Sequence, residues 1–140
     1  MISDLGDSDL AGCAALYAET FSAPPWNESW SVPDAVQRLA DLLATPRAYG
    51  VSIFDGELLG FALGNLERVG AEDHFCLREM CVRPGRRREG LGTALLDGLA
   101  ARLPGVRQWY LLTARDSGAA AFYERNGFRP AQRIGVFVRP

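Results

Sequence analysis

The sequence predicts a single domain of the α/β (α+β) class: a mixed, mostly antiparallel twisted sheet flanked by helices on both faces. Three observations carry this. Helix-spaced and strand-spaced apolar runs follow one another in the order β, α, α, β, β, β, α, β, α, β. Hairpin signals fill the first half, where strands must therefore pair antiparallel. Between Phe75 and Thr113 a strand, a loop and a helix lead into a further strand, which requires a parallel, right-handed crossover. No repeat, low-complexity segment or long linker divides the 140 residues, so residues 1–140 read as one unit.

Taken in order, residues 2–5 form a short first strand. Asp7 or Ser8 can cap a helix, and acids there suit its positive end. Leu10, Cys13, Ala14, Tyr17, Ala18 and Phe21 then share one helical face, and the helix stops before Pro24-Pro25. Ser31, followed by Pro33, opens a second helix with Val36, Leu39 and Leu43 on one side, and Pro46 closes it. Strands over 49–54 and 58–66 flank an Asp55-Gly56 hairpin turn. GAEDHF reads as an exposed loop, which puts His74 on the surface, and 75–82 as the strand after it. A helix over 91–103 carries Leu91, Leu95, Leu99 and Leu103 on one stripe and ends at Pro104-Gly105. Residues 109–113 form a strand, 117–125 a helix ending at Asn126-Gly127, and 134–139 a last strand, which can pair across a homodimer.

Bulk properties remove some functions. Net charge is −2 and the pI about 5.4, which argues against a dedicated nucleic-acid binder. No apolar run approaches the roughly 20 residues of a membrane helix. MISDLGDSDLAG has acids where a secretory signal is basic, so a cytoplasmic protein is expected. Cys13, Cys76 and Cys81 are odd in number and show no zinc spacing with His74, so reduced core thiols and no metal are expected.

The positive charge is local. RPGRRREGLGTALL places Arg83, Arg86, Arg87 and Arg88 within six residues, then Gly90-Leu91-Gly92 at the start of a helix. Unpaired amides at a helix N-terminus, glycines that admit close approach and arginines nearby together suit a phosphate. The Walker pattern is absent, and the dinucleotide fingerprint lacks its third glycine at Leu95.

At these residues the chain resembles the GCN5-related N-acetyltransferases, the GNAT family. Val82-Arg83-Pro84 and Arg87-Arg88-Glu89-Gly90-Leu91-Gly92 are similar to the family's acetyl-CoA motif. Ala119-Ala120-Ala121-Phe122-Tyr123-Glu124-Arg125-Asn126-Gly127-Phe128 is similar to its second motif. The resemblance implies acetyl-CoA as co-substrate and direct acetyl transfer to an amine, of a small molecule or, alternatively, of a protein or peptide; a non-catalytic acyl-CoA-binding sensor on the same fold is the other alternative. It implies that amides from Arg87 through Arg88, Glu89, Gly90, Leu91 and Gly92 to Thr93 hold the pyrophosphate. It further implies that the pantetheine arm lies along Glu79, Met80, Cys81 and Val82, in a splayed gap beside the next strand. From the second motif, Ala119 and Phe122 join the cofactor-binding set. Two residues depart from the family pattern. Glu89 is acidic, so its side chain is expected to face outward. Asp116 stands where Asn is frequent, which puts that CoA contact in question.

The chemistry needs a neutral amine, a polarised thioester and a protonated leaving thiolate. Tyr123 is the candidate acid, a role the resemblance supports; the alternative is a ring packed on the sheet. Glu79 is the candidate base. Strand alternation places Phe75, Leu77, Glu79 and Cys81 on one side and Cys76, Arg78, Met80 and Val82 on the other, both largely apolar. A carboxylate there is costly unless functional or ion-paired, for instance with an arginine of the neighbouring strand. In PPWNESW, Trp26 and Trp30 offer flat apolar faces and Glu28 a negative charge for a small-molecule amine; equally, the tryptophans can seal the core. Glu67, Glu72 and Asp73 add a weaker hint of a cationic acceptor.

Overall fold

The computed structural model describes residues 1–86 and 89–140. Arg87 and Arg88, two of the expected pyrophosphate residues, lie outside the described residues. The elements are β1 (Ile2–Asp4), α1 (Leu10–Ser22), α2 (Val32–Leu43), β2 (Ala48–Phe54), β3 (Leu58–Val69), β4 (Glu72–Val82), α3 (Leu91–Arg102), β5 (Val106–Leu111) and α4 (Gly118–Arg125). A 3-10 turn at Asp7–Asp9 leads into α1.

The five strands lie in the order β1-β2-β3-β4-β5. The first three junctions are antiparallel and β4–β5 is parallel, as the crossover requires. Alternation along β3 builds two apolar layers. Phe61 and Leu63 pack with Cys13, Leu16, Tyr17 and Leu39 of α1 and α2. Ala62 faces the other way, with Val51, Phe75, Leu95 and Leu99. The helices therefore cover both faces. The three cysteines are buried and none forms a disulfide. Burial pushes the Cys13 thiol up to about 12, so it stays a core thiol at ordinary pH. Among the described residues no helix is long and apolar enough to cross a membrane.

Three expectations are corrected. First, β3 and β4 do not end at a long loop. They pair down to Val69 opposite Glu72, joined by Gly70-Ala71 with Gly70 at φ +60°. His74 is thus a strand residue, largely covered and 3.1 Å from Glu72. The acids there are already engaged, because Asp73 pairs with Arg47 at 2.8 Å and with Arg68 at 3.3 Å. Glu67 accepts the Tyr110 hydroxyl at 2.6 Å.

Second, strict alternation fails in β4. Leu63 pairs with Glu79 and Gly64 with Leu77, so Arg78 is an extra residue in β4. The bulge reverses the faces. Phe75 and Leu77 join the α3 layer together with Met80 and Val82. Cys81 joins the α1–α2 layer, where Glu79 meets Tyr17. Gly64 makes this possible, since a Cβ there would overlap Cys76 O and the Phe75 ring.

Third, the last strand is missing. Residues 129–140 have no regular structure. No described strand pairs with this segment, and an isolated strand is not stable in water.

Candidate active site

β4 carries the centre of the site. Its parallel pairing with β5 ends at Leu77 opposite Leu111, yet β4 continues to Val82, paired there only with β3. Among the described residues, β4 beyond Leu77 has no strand partner on its β5 side. This is the gap expected between the two strands, and it leads toward the loop before α3.

That loop is built by a left-handed residue. Gly90 caps α3 with φ 76°, and a Cβ at that position would meet no described atom within 4 Å. Glycine stands there for its backbone conformation. The first α3 bond is Ala94 N–H to Gly90 O at 3.0 Å, which leaves the amides of Leu91, Gly92 and Thr93 without helical partners. The residues present thus fit an anionic group.

The arginine charge is more spoken for than the sequence suggests. Arg83 lies 3.4 Å from Glu57 and 3.6 Å from Glu19, and donates to Leu58 O at 2.7 Å. Arg86 binds Glu89 at 2.8 Å. Glu89 is accordingly exposed and turned along the loop, and the guanidinium holds its carboxyl below the usual range.

Gly92 has a different cause. A Cβ on it would sit 2.7 Å from the Phe122 ring, so its absence lets α4 lie against α3. Thr93 Oγ1 donates to Asn126 Oδ1 at 3.1 Å and ties the same two helices. Ser117 caps α4 by accepting the Ala120 N–H at 3.1 Å. Ala119 is half-buried in the first turn of α4. Asp116, just before the cap, is exposed at φ 54°.

Glu79 and Tyr123 lie within electrostatic reach of each other. The Glu79 side chain is only 11% exposed. Tyr17 Oη donates to its Oε1 at 3.1 Å, and Arg38 donates to the same oxygen through Nε at 3.1 Å and Nη2 at 2.9 Å. None of these bonds reaches Oε2. Burial pushes the Glu79 carboxyl above its usual value, with Arg38 and Tyr17 pulling the other way. The ion-pair partner is therefore on α2, not on the neighbouring strand as the sequence suggested. Tyr123 is held between Phe122 and Phe128, with ring centroids 5.1 Å and 5.6 Å away. Burial, and then the charge of Glu79, push its phenol up to about 12.

Tyr17 and Arg38 were missed in the sequence. Tyr17 sits on an apolar helical face and reads as core; Arg38 reads as a solvated helix charge. No sequence signal links either to residue 79.

The aromatic loop divides. Trp30 and Glu28, with Ser22, Ser29, Ser31 and Asp34, line an open depression of about 570 Å³. Trp30 Nε1 donates to Glu28 Oε1 at 2.7 Å, and its ring meets Tyr17 edge-on at 4.9 Å. Trp26 is not in that lining and packs on Phe21, with centroids 5.4 Å apart. One side of the depression thus adjoins the Tyr17–Glu79 contact through Trp30.

Residues 47–130, more than half of the chain, match the model of the acetyltransferase (GNAT) domain family. The chain belongs to the GNAT family. The matched residues include Glu79, the glycine loop and Tyr123, whereas Tyr17, Arg38 and the tryptophan loop precede them. This GNAT domain is 34% identical over 100 residues, 69% of its length, to the mycothiol acetyltransferase of Actinosynnema mirum. The match covers only 32% of that relative, so the chain spans about a third of its length. Among solved structures, a probable acetyltransferase superposes with a TM-score of 0.81 at 18% identity, covering 100% of this chain and 97% of the other. An aminoglycoside acetyltransferase from an uncultured soil metagenomic sample, in complex with sisomicin, superposes at 0.74 with 16% identity, covering 100% and 94%. At those identities the two structures share its fold.

Proposed function

We propose that the protein is an acetyl-CoA-dependent N-acetyltransferase that moves the acetyl group directly to a primary amine of a small molecule. The observation that carries this reading is the gap where β4 runs past its last pair with β5, with the buried Glu79 carboxyl on that stretch and the Tyr123 phenol within reach of its charge. Acetyl-CoA supplies the acetyl group as an activated thioester. The amides of Leu91, Gly92 and Thr93 would hold its pyrophosphate, and Met80, Cys81 and Val82, on the part of β4 beyond its last pair with β5, its pantetheine arm.

The chain's own groups divide the proton work. Glu79 Oε2, unoccupied by the Tyr17 and Arg38 bonds, accepts the proton of the attacking amine. Burial suits it to that task, because a raised pKa makes a stronger base. Tyr123 Oη gives its proton to the departing sulfur. With its pKa up to about 12 it is protonated at any working pH. The C–N bond forms as the C–S bond breaks, so proton and charge balance without a further reactant.

The acceptor side favours a small cationic amine. Glu28 and Asp34 line the depression and present negative charge, and Trp30 offers an aromatic face. Aminoglycoside and mycothiol acetyltransferases among the similar proteins are consistent with a small acceptor. Nucleic acid and membrane play no part in this reading, and a cytoplasmic setting suits its buried thiols.

The test has two stages. Calorimetric titration should give micromolar acetyl-CoA binding and no ATP binding. A panel of primary amines should then be screened for release of free CoA thiol. Absence of acetyl-CoA binding would sink the whole reading, whereas binding without thiol release would favour an acyl-CoA sensor.

A further inference from the structure

Beyond Glu79 the face of the sheet that carries it turns polar. Side chains paired laterally across neighbouring strands point to the same face. The pairing of β3, β4 and β5 therefore lines up two rows there. Asn65, Cys76 and Tyr110 form the first, and Glu67, His74 and Gln108 the second. The residues in between, Phe75 and Leu77, point the other way and join the α3 layer. On β3 the face is apolar at Phe61 and Leu63, which pack with α1 and α2, and polar at Asn65 and Glu67. Leu63 is paired with Glu79, so the first row begins two residues along β3, about 7 Å, from the position opposite the candidate base.

The first row holds a group that the fold leaves unanswered. Asn65 is 7% exposed, yet its Oδ1 has no hydrogen-bond partner among the described residues. Its Nδ2 reaches only Leu66 O, at 3.5 Å. A buried carbonyl without a donor is costly, and leucine would fill the place without that cost. Beside it, the Tyr110 hydroxyl reaches across β4 to donate to Glu67 Oε1 at 2.6 Å, which leaves Glu67 Oε2 without a bond among the described residues. Gln108 stands exposed in the second row.

We propose that this face is the floor of the acceptor site, and that the acceptor is a polyhydroxylated, sugar-like amine whose hydroxyl groups bind Asn65, Glu67, Gln108 and Tyr110. The proposal rests on the reading of Glu79 as the base that faces the reacting amine. The composition of the rows selects the class. A hydroxyl both donates and accepts, so it can donate to Asn65 Oδ1 or Glu67 Oε2 and accept from Tyr110 or Gln108. A polyamine would need several free carboxylates, but Asp73 is paired with Arg47 and Arg68, and Glu72 with His74. An aliphatic amine would leave the polar groups of both rows unanswered. Tyr110, 36% exposed, is the member that moves aside to admit a hydroxyl to Asn65. A single six-membered ring is long enough to join Glu79 to the first row.

Calorimetry on the full chain tests this with two ring amines, glucosamine, which carries hydroxyls, and cyclohexylamine, which carries none. At about pH 6 both are ammonium ions, so charge does not separate them. Glucosamine should bind roughly tenfold or more tightly than cyclohexylamine. Asn65→Leu should remove that preference and leave cyclohexylamine binding unchanged. Its melting temperature should hold or rise, because an unpaired buried polar group gives way to an apolar one. If that variant loses stability instead, the double change Gln108→Ala/Tyr110→Phe, at exposed positions, decides by the same ratio. Equal binding of the two amines overturns the proposal, as does a preference that survives these substitutions. Release of thiol from acetyl-CoA separates the floor from the catalytic reading. Acetylation of cyclohexylamine as readily as glucosamine overturns the floor and leaves the enzyme. Preferential glucosamine binding with no thiol released from either amine leaves the floor and overturns the enzyme.

Discussion

The two candidate catalytic side chains come from regions built very differently. Glu79 belongs to the part made of β1–β4 and α1–α3, which holds every buried residue described. Tyr123 belongs to β5, α4 and the tail, which hold none. Glu79 is fixed by three hydrogen bonds from two helices. Tyr123 is placed by ring contacts and by the way α4 leans on α3 through Gly92 and Thr93. The carboxylate is thus set by a packed core, and the phenol by a few contacts at its border. Site geometry depends most on the α3–α4 seam, where the stabilising contacts are fewest.

The largest test of that division is in stability. Phe75 is fully buried and meets the Trp109 ring at 4.7 Å. Phe75→Ala should cost about 3–5 kcal/mol in urea unfolding. Leu112, exposed just past β5, should cost no more than about 0.5 kcal/mol when changed to Ala. Comparable losses at both positions would mean that the C-terminal third is packed after all.

The next effect is catalytic. Tyr123→Phe should lower kcat by about 100-fold or more, roughly 2.7 kcal/mol of barrier, with little change in the KM for acetyl-CoA. Undiminished turnover would remove Tyr123 as the acid and leave it a packing residue. Gly92→Ala probes the seam without touching either group. Its new methyl must displace the Phe122 ring from 2.7 Å, a strain of about 1–3 kcal/mol. We expect amides of α4 to exchange faster while those of β3 and β4 keep their protection. Uniform loosening of the whole chain would show that the two regions are one cooperative unit.

The same division governs what was legible in the sequence. Where packing is regular, periodicity sufficed. Leu91, Leu95 and Leu99 give α3, and Asp55-Gly56 gives the β2–β3 hairpin. The gap and the glycine cap were anticipated through the family resemblance. Alternation failed at Arg78 because a bulge adds one residue and reverses every face beyond it. His74 was assigned to a loop because its charged neighbours resemble a turn, whereas their partners Arg47 and Arg68 let the hairpin continue. Tyr17 and Arg38 were unreadable as site residues, since their pairing with Glu79 spans 62 and 41 positions. The strand expected over 134–139 does not form, because composition supplies strand formers but not the edge to pair with.

The smallest predicted effect is a displacement on the pH axis, and it bears directly on which region sets the chemistry. Burial raises the Glu79 carboxyl above its ordinary 4.5. The base is ionised only above that raised value, so kcat/KM should fall on the acid side at a pH above 4.5. Stability has the same origin with its own sign. The folded chain holds this proton more tightly than the unfolded chain, so Glu79 imposes no penalty below 4.5 and its full penalty above the folded pKa. The guanidinium of Arg38 opposes the burial, so Arg38→Ala should move the acid limb to higher pH, while Tyr123→Phe should leave it in place. The acceptor amine adds a limb of its own, common to all variants, so the quantity to read is the shift between variants with one acceptor. No alkaline limb from Tyr123 is expected until the pH nears 12. A limb that moves with Tyr123 and not with Arg38 would place the titrating base outside the Glu79 cluster, and the packed region would then position the substrate rather than take its proton.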